Sequence, residues 1–259
     1  MNINDVLANI QPWREKHARQ AWKPKTMNKD GSRVTSKFSG APWIGKSESW
    51  PNCGHCHSMM VFFLQLNISE FPEPAKASFG SGLIQLFYCT ACDGGWEPFA
   101  QISLVRLVPE LLLAEAGGGL ERKLEFPARR IETWEEFVDY PHPPEHDVLG
   151  LSYTYDFKAK PSQTRIECRN PAFIADGIVD DELAEKISLA EPGDKLGGWP
   201  CWIQSMEYPA CPTCKQSMRL VFQIDSKDHI PFMFGDMGTG HITQCPVHLD
   251  TVAFGWACS

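Results

Sequence analysis

The chain has 259 residues, 43% of them hydrophobic and 22% charged, with a formal net charge of −8. These fractions are ordinary for a folded soluble protein, and the acidic balance weighs against a nucleic-acid partner, which a basic face would serve. No apolar run approaches the roughly 20 residues that cross a bilayer, so no membrane role is expected.

Residues 3–22 read as helix in two pieces. Val6, Ile10 and Trp13 share one face, and Pro12 suits the first position of the second piece. Lys23 to Ser36 is polar and reads as loop, which makes residues 1–35 an N-terminal helical segment. The start, Met1-Asn2-Ile3-Asn4-Asp5, has neither a basic n-region nor an apolar h-region, so no signal peptide is expected.

Lys37-Phe38-Ser39-Gly40-Ala41-Pro42-Trp43 opens a β-rich unit. A knuckle follows at Cys53-Gly54-His55-Cys56, then a strand over 59–67 that is apolar on both faces and belongs in a sheet centre. Phe71-Pro72-Glu73-Pro74 reads as loop. Gly82 to Tyr88 is the return strand, Cys89-Thr90-Ala91-Cys92 is a second knuckle, and Ile102 to Val108 is a further strand. Gly117-Gly118-Gly119 reads as a flexible turn, because no Lys-Ser/Thr pair follows in the manner of a phosphate loop. Thr133-Trp134-Glu135-Glu136 fits a capping box and predicts a short helix. Pro141 to Asp147 reads as loop and Leu149 to Asp156 as strand.

A helix is expected over 181–190, capped by Asp180 or Asp181, with Leu183, Ala184 and Ile187 on its buried face and Pro192-Gly193 ending it. Lys195-Leu196-Gly197-Gly198-Trp199-Pro200 then opens a second β-rich unit. It runs through Cys211-Pro212-Thr213-Cys214, a strand over 218–224, a return strand at 240–244, Cys245-Pro246-Val247-His248 and a closing strand at 252–257.

The two units agree in register. Lys37 and Lys195 differ by 195 − 37 = 158, and the same offset relates Gly40 to Gly198, Cys53 to Cys211, Cys56 to Cys214, Met60 to Met218 and Gln65 to Gln223. The returning knuckle keeps an offset of 156, from Cys89 to Cys245 and from Cys92 to His248. Each copy reads knuckle, strand, loop, strand, knuckle. Antiparallel pairing of the strands brings the knuckles together, so four soft ligands converge as zinc requires in closed structural sites. Cys53, Cys56, Cys89 and Cys92 form one expected set; Cys211, Cys214, Cys245 and His248 form the other. The fold class is therefore α+β and mainly β. It is expected to consist of two tandem zinc-clipped sheet units related by internal duplication, at 36–148 and 149–259, with peripheral short helices. Thiolates held by metal suit a reducing cytoplasm. Cys168, Cys201 and Cys258 are left over and read as small buried apolar residues.

Lys37 to Trp43, Trp50-Pro51, Phe63-Leu64-Gln65-Leu66 and Gly82 to Tyr88 resemble the bacterial YwqG-like family, a domain of unknown function. Lys195 to Pro200 and Ile203-Gln204 resemble that family's second-half motif. The cysteine knuckle ahead of Phe-Leu-Gln is similar to the programmed-cell-death-protein family, whose members are dedicated chaperones of a small-subunit ribosomal protein. The first resemblance implies a fold and no catalytic residues. Some of its members sit near polymorphic-toxin genes, which suggests immunity proteins.

Neither H-E-x-x-H nor G-x-S-x-G nor a phosphate loop is present. His142-Pro143-Pro144-Glu145-His146-Asp147 is the best candidate for a catalytic metal site, which needs three ligands and one open position, but it reads as a polar surface loop, since its prolines prevent a helix from placing the histidines on one face. Asp225, Asp228, His229, Asp236 and His241 form a polar cluster that reads as turn chemistry. Gln65 and Gln223 occupy strand interiors, where pinning a neighbouring loop satisfies their amides. The expected function is non-catalytic: a zinc-binding scaffold for a basic protein partner, as an immunity protein or a dedicated chaperone. The alternative is a metal-assisted hydrolase with its site between the repeats.

Overall fold

The computed structural model describes residues 3–92, 95–115, 117, 125–179 and 191–259. The helix expected over 181–190 and most of the glycine turn at 117–119 lie outside them.

Helix α1 (Ile3–His17) buries Val6, Ile10 and Trp13, the predicted face. It is one helix, with Pro12 inside it, and not two pieces. Its packing surface explains this. Leu151, Ile166, Cys168, Ala175 and Ile178 form a small core with that face, and Trp13 Nε1 donates to the Leu149 carbonyl over 3.0 Å. Those partners come from a three-stranded antiparallel sheet, β7 (Leu151–Asp156), β8 (Gln163–Arg169) and β9 (Ala172–Val179).

Strand β1 (Arg19–Met27) replaces the expected helix end and loop. Strand β6 (Arg129–Asp139) replaces the expected capping-box helix. The two pair antiparallel along their length, and that pairing supplies the reason. The acidic residues that fit a helix start meet basic and amide partners across the ladder. Glu135 pairs with Lys25, and Gln20 Nε2 donates to Glu136 Oε1 over 2.9 Å. Cross-strand pairs of this kind outweigh a local cap preference.

The other main-sheet strands are β2 (Lys37–Phe38), β3 (Val61–Asn67), β4 (Leu83–Tyr88), β5 (Ser103–Val108), β10 (Lys195–Gly197), β11 (Arg219–Asp225), β12 (Thr239–Gln244) and β13 (Val252–Ala257). The order is β13-β12-β11-β10-β1-β6-β2-β3-β4-β5. Both predicted strand sets therefore lie in one sheet and not in two, because β1 and β6 stand between them. The arrangement reads alike outward from that centre. Lys37 faces Gln65 and Lys195 faces Gln223. The register slips between Phe62 and Leu64 on one side and between Leu220 and Phe222 on the other.

The sheet curls until its edge strands β5 and β13 lie side by side. Its concave interior is aromatic. Phe63, Tyr88, Phe234 and Phe254 bury their rings there, with centroids 5.5 Å apart for Phe63–Tyr88 and 5.7 Å for Phe234–Phe254. Aromatic pairs at such spacings gain beyond their buried area. One core thus draws on both strand sets. Helix α2 (Glu73–Phe79) begins inside the segment expected to be loop, with Pro74 in its first turn where a missing N–H costs nothing, and ties the sets together. The Ser78 carbonyl accepts from the Arg219 guanidinium, and the Phe79 carbonyl from Gln244 Nε2 over 3.1 Å.

Candidate metal centres

Each knuckle ahead of a central strand is a tight turn. Cys53 N donates to Ser58 O over 2.8 Å and His57 N to Cys53 O over 3.0 Å. In the second set Cys211 N donates to Gln216 O and Lys215 N to Cys211 O, both over 2.9 Å. His57 and Lys215 take left-handed φ values of 61° and 63°. The turn leaves backbone N–H groups aimed at sulfur: His55 N and Cys56 N lie 3.4 and 3.5 Å from Cys53 Sγ. In the returning knuckle Val247 N and His248 N lie 3.4 and 3.2 Å from Cys245 Sγ.

Strand pairing then closes each site. Val61 faces Tyr88 and Arg219 faces Gln244, so the knuckle before one strand meets the knuckle after the other. The structure brings all eight predicted residues together in two groups of four, as expected. Cys53 and Cys92 sulfurs are 3.7 Å apart, and the pairs Cys56–Cys89 and Cys89–Cys92 are each 3.6 Å apart. Cys214–Cys245 is 3.6 Å, and His248 Nδ1 is 3.8 Å from both Cys211 and Cys245 sulfurs. A disulfide needs about 2.05 Å, and every cysteine here is free. Four sulfurs about 2.3 Å from a central ion lie about 3.8 Å from one another. The spacing fits an ion and not a crosslink.

The electrostatics agree. Hydrogen bonds from Ser58 pull the Cys56 thiol down to about 6, while sharing protons with Cys56 pushes Cys92 upward. Backbone N–H bonds pull Cys211 down to about 6. Neighbouring thiols in one group thus compete for charge. A dication at the centre lets all four ligands be deprotonated together.

The remaining predicted positions separate. Gln65 and Gln223 pin loops as expected. Gln65 Nε2 donates to the Arg33 and Thr35 carbonyls, and its Oε1 accepts from Trp43 N. Gln223 repeats this with Gly193 O and Cys201 N. The His142–Asp147 segment is not a surface loop. Pro143–His146 forms the short helix α3, and Glu145 and His146 are buried. His146 Nδ1 is 2.6 Å from Tyr153 Oη and Nε2 2.8 Å from Pro141 O, so the imidazole is a core cross-link. Of the leftover cysteines, Cys168 is buried as expected, whereas Cys201 and Cys258 are only partly so.

The polar cluster is divided too. Asp225 does turn chemistry, accepting from Ser226 N and Thr239 Oγ1. Asp228 and His229 join Asp194 in a third group of possible ligands. Fully buried, Asp194 accepts from Asp225 N over 2.6 Å, and its other oxygen lies 2.8 Å from His229 Nδ1. Ser36 and Glu70 sit at the matching positions of the first set (194 − 158 and 228 − 158), and the Ser36 N to Glu70 Oε2 bond repeats that of Asp194 N to Asp228 Oδ2. This group is loop scaffolding.

Two buried lysines are the feature that the sequence reading passed over. Lys37 Nζ donates to Asp30 and to the Ala41 carbonyl, each over 2.7 Å. Lys195 Nζ donates to Asp139 over 2.8 Å. The lysines stand out in the repeat, but their carboxylates come from other segments and carry no local signal. A cleft of about 410 Å³ lies between α2 and β1, β10 and β11. Arg19, Gln20, Trp22, Phe79, Arg219 and Leu220 line it among others, and among the described residues no carboxylate, imidazole or thiol does.

Two sites that could each hold a metal ion lie on one curled sheet of a mainly β protein. Residues 36–257 match the family described as a domain of unknown function, DUF1963, and the chain belongs to that family. A stretch of 46 residues is 42% identical to "Uncharacterized protein YpfL" of Salmonella typhimurium (strain LT2), covering 18% of this chain and 11% of that protein. Neither match names a YwqG-like protein or a ribosomal-protein chaperone, so those resemblances rest on their motifs alone.

Proposed function

We propose that each four-ligand group holds a structural zinc ion and that the protein is a non-catalytic scaffold for a basic protein partner. The observation that carries this is closure. Each group offers four mutually close N/S ligands, which is a complete tetrahedral set for zinc and leaves no position for an activated water. Internal duplication accounts for the two repeats at 36–148 and 149–259, given the shared offset and the matching registers. An acidic chain of net charge −8 suits a basic client. Neutralising a toxin or chaperoning a nascent basic protein in a reducing cytoplasm are the two uses that fit.

The hydrolase alternative needs a metal with an open position between the repeats. The cleft there offers arginines and apolar side chains, which favours the scaffold. Capture of the tagged protein from its native cells at low salt, followed by mass spectrometry, tests the reading. A stoichiometric basic partner is expected. Turnover of a small molecule by the purified protein, with no partner retained, sinks it.

A further inference from the structure

In the first strand set Gln85 faces Arg106 across β4 and β5. Arg106 Nε donates to Gln85 Oε1 over 2.8 Å, and its guanidinium pairs with Glu48. A cation is therefore built in beside that strand. In the second set the equivalent pair is His241 facing Gly255 across β12 and β13. The arginine is gone, and an imidazole stands where the glutamine accepts from it.

His241 and Thr243 are 5% and 2% exposed, yet among the described residues His241 Nε2 and Thr243 Oγ1 have no hydrogen-bond partner. A buried polar atom left unpaired costs about 1–3 kcal/mol, so two on one strand face call for a ligand. Both residues line one small cavity, with Pro98, Trp202, Glu207, Pro209 and Gly255 completing its wall. Glu207 stands one position from the counterpart of Glu48 (48 + 158 = 206). Burial holds the His241 imidazole neutral, down to about 3, and its other bond is to the Cys201 backbone. With Nδ1 occupied there, Nε2 presents a lone pair.

The cavity measures about 10 Å³, room for one water-sized group. That excludes a whole guanidinium plane. An ammonium group is one heavy atom with three donors, and three of the lining residues carry acceptors: the His241 imidazole, the Thr243 hydroxyl and the Glu207 carboxylate. We propose that this cavity receives the ammonium tip of a lysine from the partner protein, replacing the cation that Arg106 supplies in the first strand set. The assignment rests on the basic-partner reading. It turns that general charge preference into one anchoring side chain.

The test is titration of full-length, ¹⁵N-histidine-labelled protein with ethylammonium and with Nα-acetyl-lysinamide, reading the His241 Nε2 resonance. Tetramethylammonium, which has charge and no donor, is the control. A saturable shift with both ammonium probes is expected, about tenfold weaker in Glu207→Gln, the size of losing one charge-assisted bond. Glu207 is half-exposed, so that variant keeps the fold, and circular dichroism checks it. The proposal is overturned by no saturable shift, which means the cavity holds water only. An equal response to tetramethylammonium overturns it too, as does a response to ethylammonium without one to Nα-acetyl-lysinamide. Capture of no partner alongside a positive titration defeats the scaffold reading and leaves the cavity's chemistry standing.

Discussion

Lys195 Nζ lies 2.8 Å from Asp139 Oδ2, and neither side chain has any exposed surface. The carboxylate does more than neutralise the lysine. It also accepts from the backbone of Trp199 over 2.8 Å, of Tyr140 over 3.0 Å and of Glu191 over 3.2 Å, so it joins β6 to the segments on both sides of β10. Removing one member of a buried pair strands the other, at about 3–5 kcal/mol. Asp139→Asn should therefore destabilise strongly in urea unfolding at constant metal. Asp30→Asn should cost less, because the Asp30 side chain is 35% exposed and water screens its pair with Lys37. Lys195→Met combined with Asp139→Leu should recover only part of the loss, since three backbone donors then lack their acceptor. Equal costs for Asp30→Asn and Asp139→Asn would contradict this account.

The reach of sequence reasoning follows from the range of the interactions. The knuckles and the paired strands β3–β4 and β11–β12 were legible, because ligand spacing and apolar runs are local. The loop-pinning glutamines were legible as well, since a buried amide in a known strand must bond nearby. Strands β1 and β6 were not. Their residues look like loop and helix start in isolation, and only mutual pairing makes them the centre of the sheet. His146 was misplaced for a similar reason. Its segment is polar in composition, and its burial comes from Trp13 and Tyr153, which arrive from α1 and β7.

Burial holds His146 at about 4 and His241 at about 3, against an ordinary imidazole value of 6.5. The sign of the linkage is fixed by this. Between those values and 6.5 the unfolded chain binds more protons than the folded one, so stability is lost as pH falls below about 6.5. Across the whole window the contribution is on the order of 3 kcal/mol for His146 and about 5 kcal/mol for His241. Asp194 acts the other way: burial raises it to about 6, so its contribution improves as pH falls from 6 toward 4. The measurable prediction is a difference. His146→Gln should lower stability at pH 7, where the Tyr153 and Pro141 bonds are disturbed, and should flatten the fall between pH 6.5 and 5. An unchanged slope in denaturant titrations would remove His146 from the explanation. His142→Ala with His146→Ala should destabilise, contrary to a surface-loop role.

Metal content gives a direct check on the two centres. Purified protein kept away from chelators should carry about two zinc ions per chain, and Cys53→Ser or Cys211→Ser should each lose about one, on the ligand count of a closed site. Cys168→Ser should lose none, since Cys168 lies in the core of the three-stranded sheet. Structural zinc supplies on the order of 10 kcal/mol in small isolated sites. Each knuckle variant should therefore melt well below the wild type and bring exposure of the aromatic interior with it. One shared interior predicts one cooperative transition for both variants. Two separate transitions, with the untouched half melting as before, would mean that the halves fold independently.

The last prediction concerns association. The chain carries −8 at pH 7, and the proposed partner is basic, so long-range attraction should speed encounter. Exposed charges are screened beyond about 10 Å at 0.1 M salt and about 3 Å at 1 M. Raising salt over that range should slow the on-rate by roughly tenfold or more while leaving the off-rate nearly fixed. A buried ammonium anchored by His241, Thr243 and Glu207 lies inside that screening length and should act on the off-rate instead. Glu207→Gln should therefore speed dissociation at every salt concentration without altering the salt dependence of association. Stopped-flow or surface-based kinetics separate the two. If the on-rate proved indifferent to salt, charge would not be what draws the partner in, and the acidic surface would serve solubility alone.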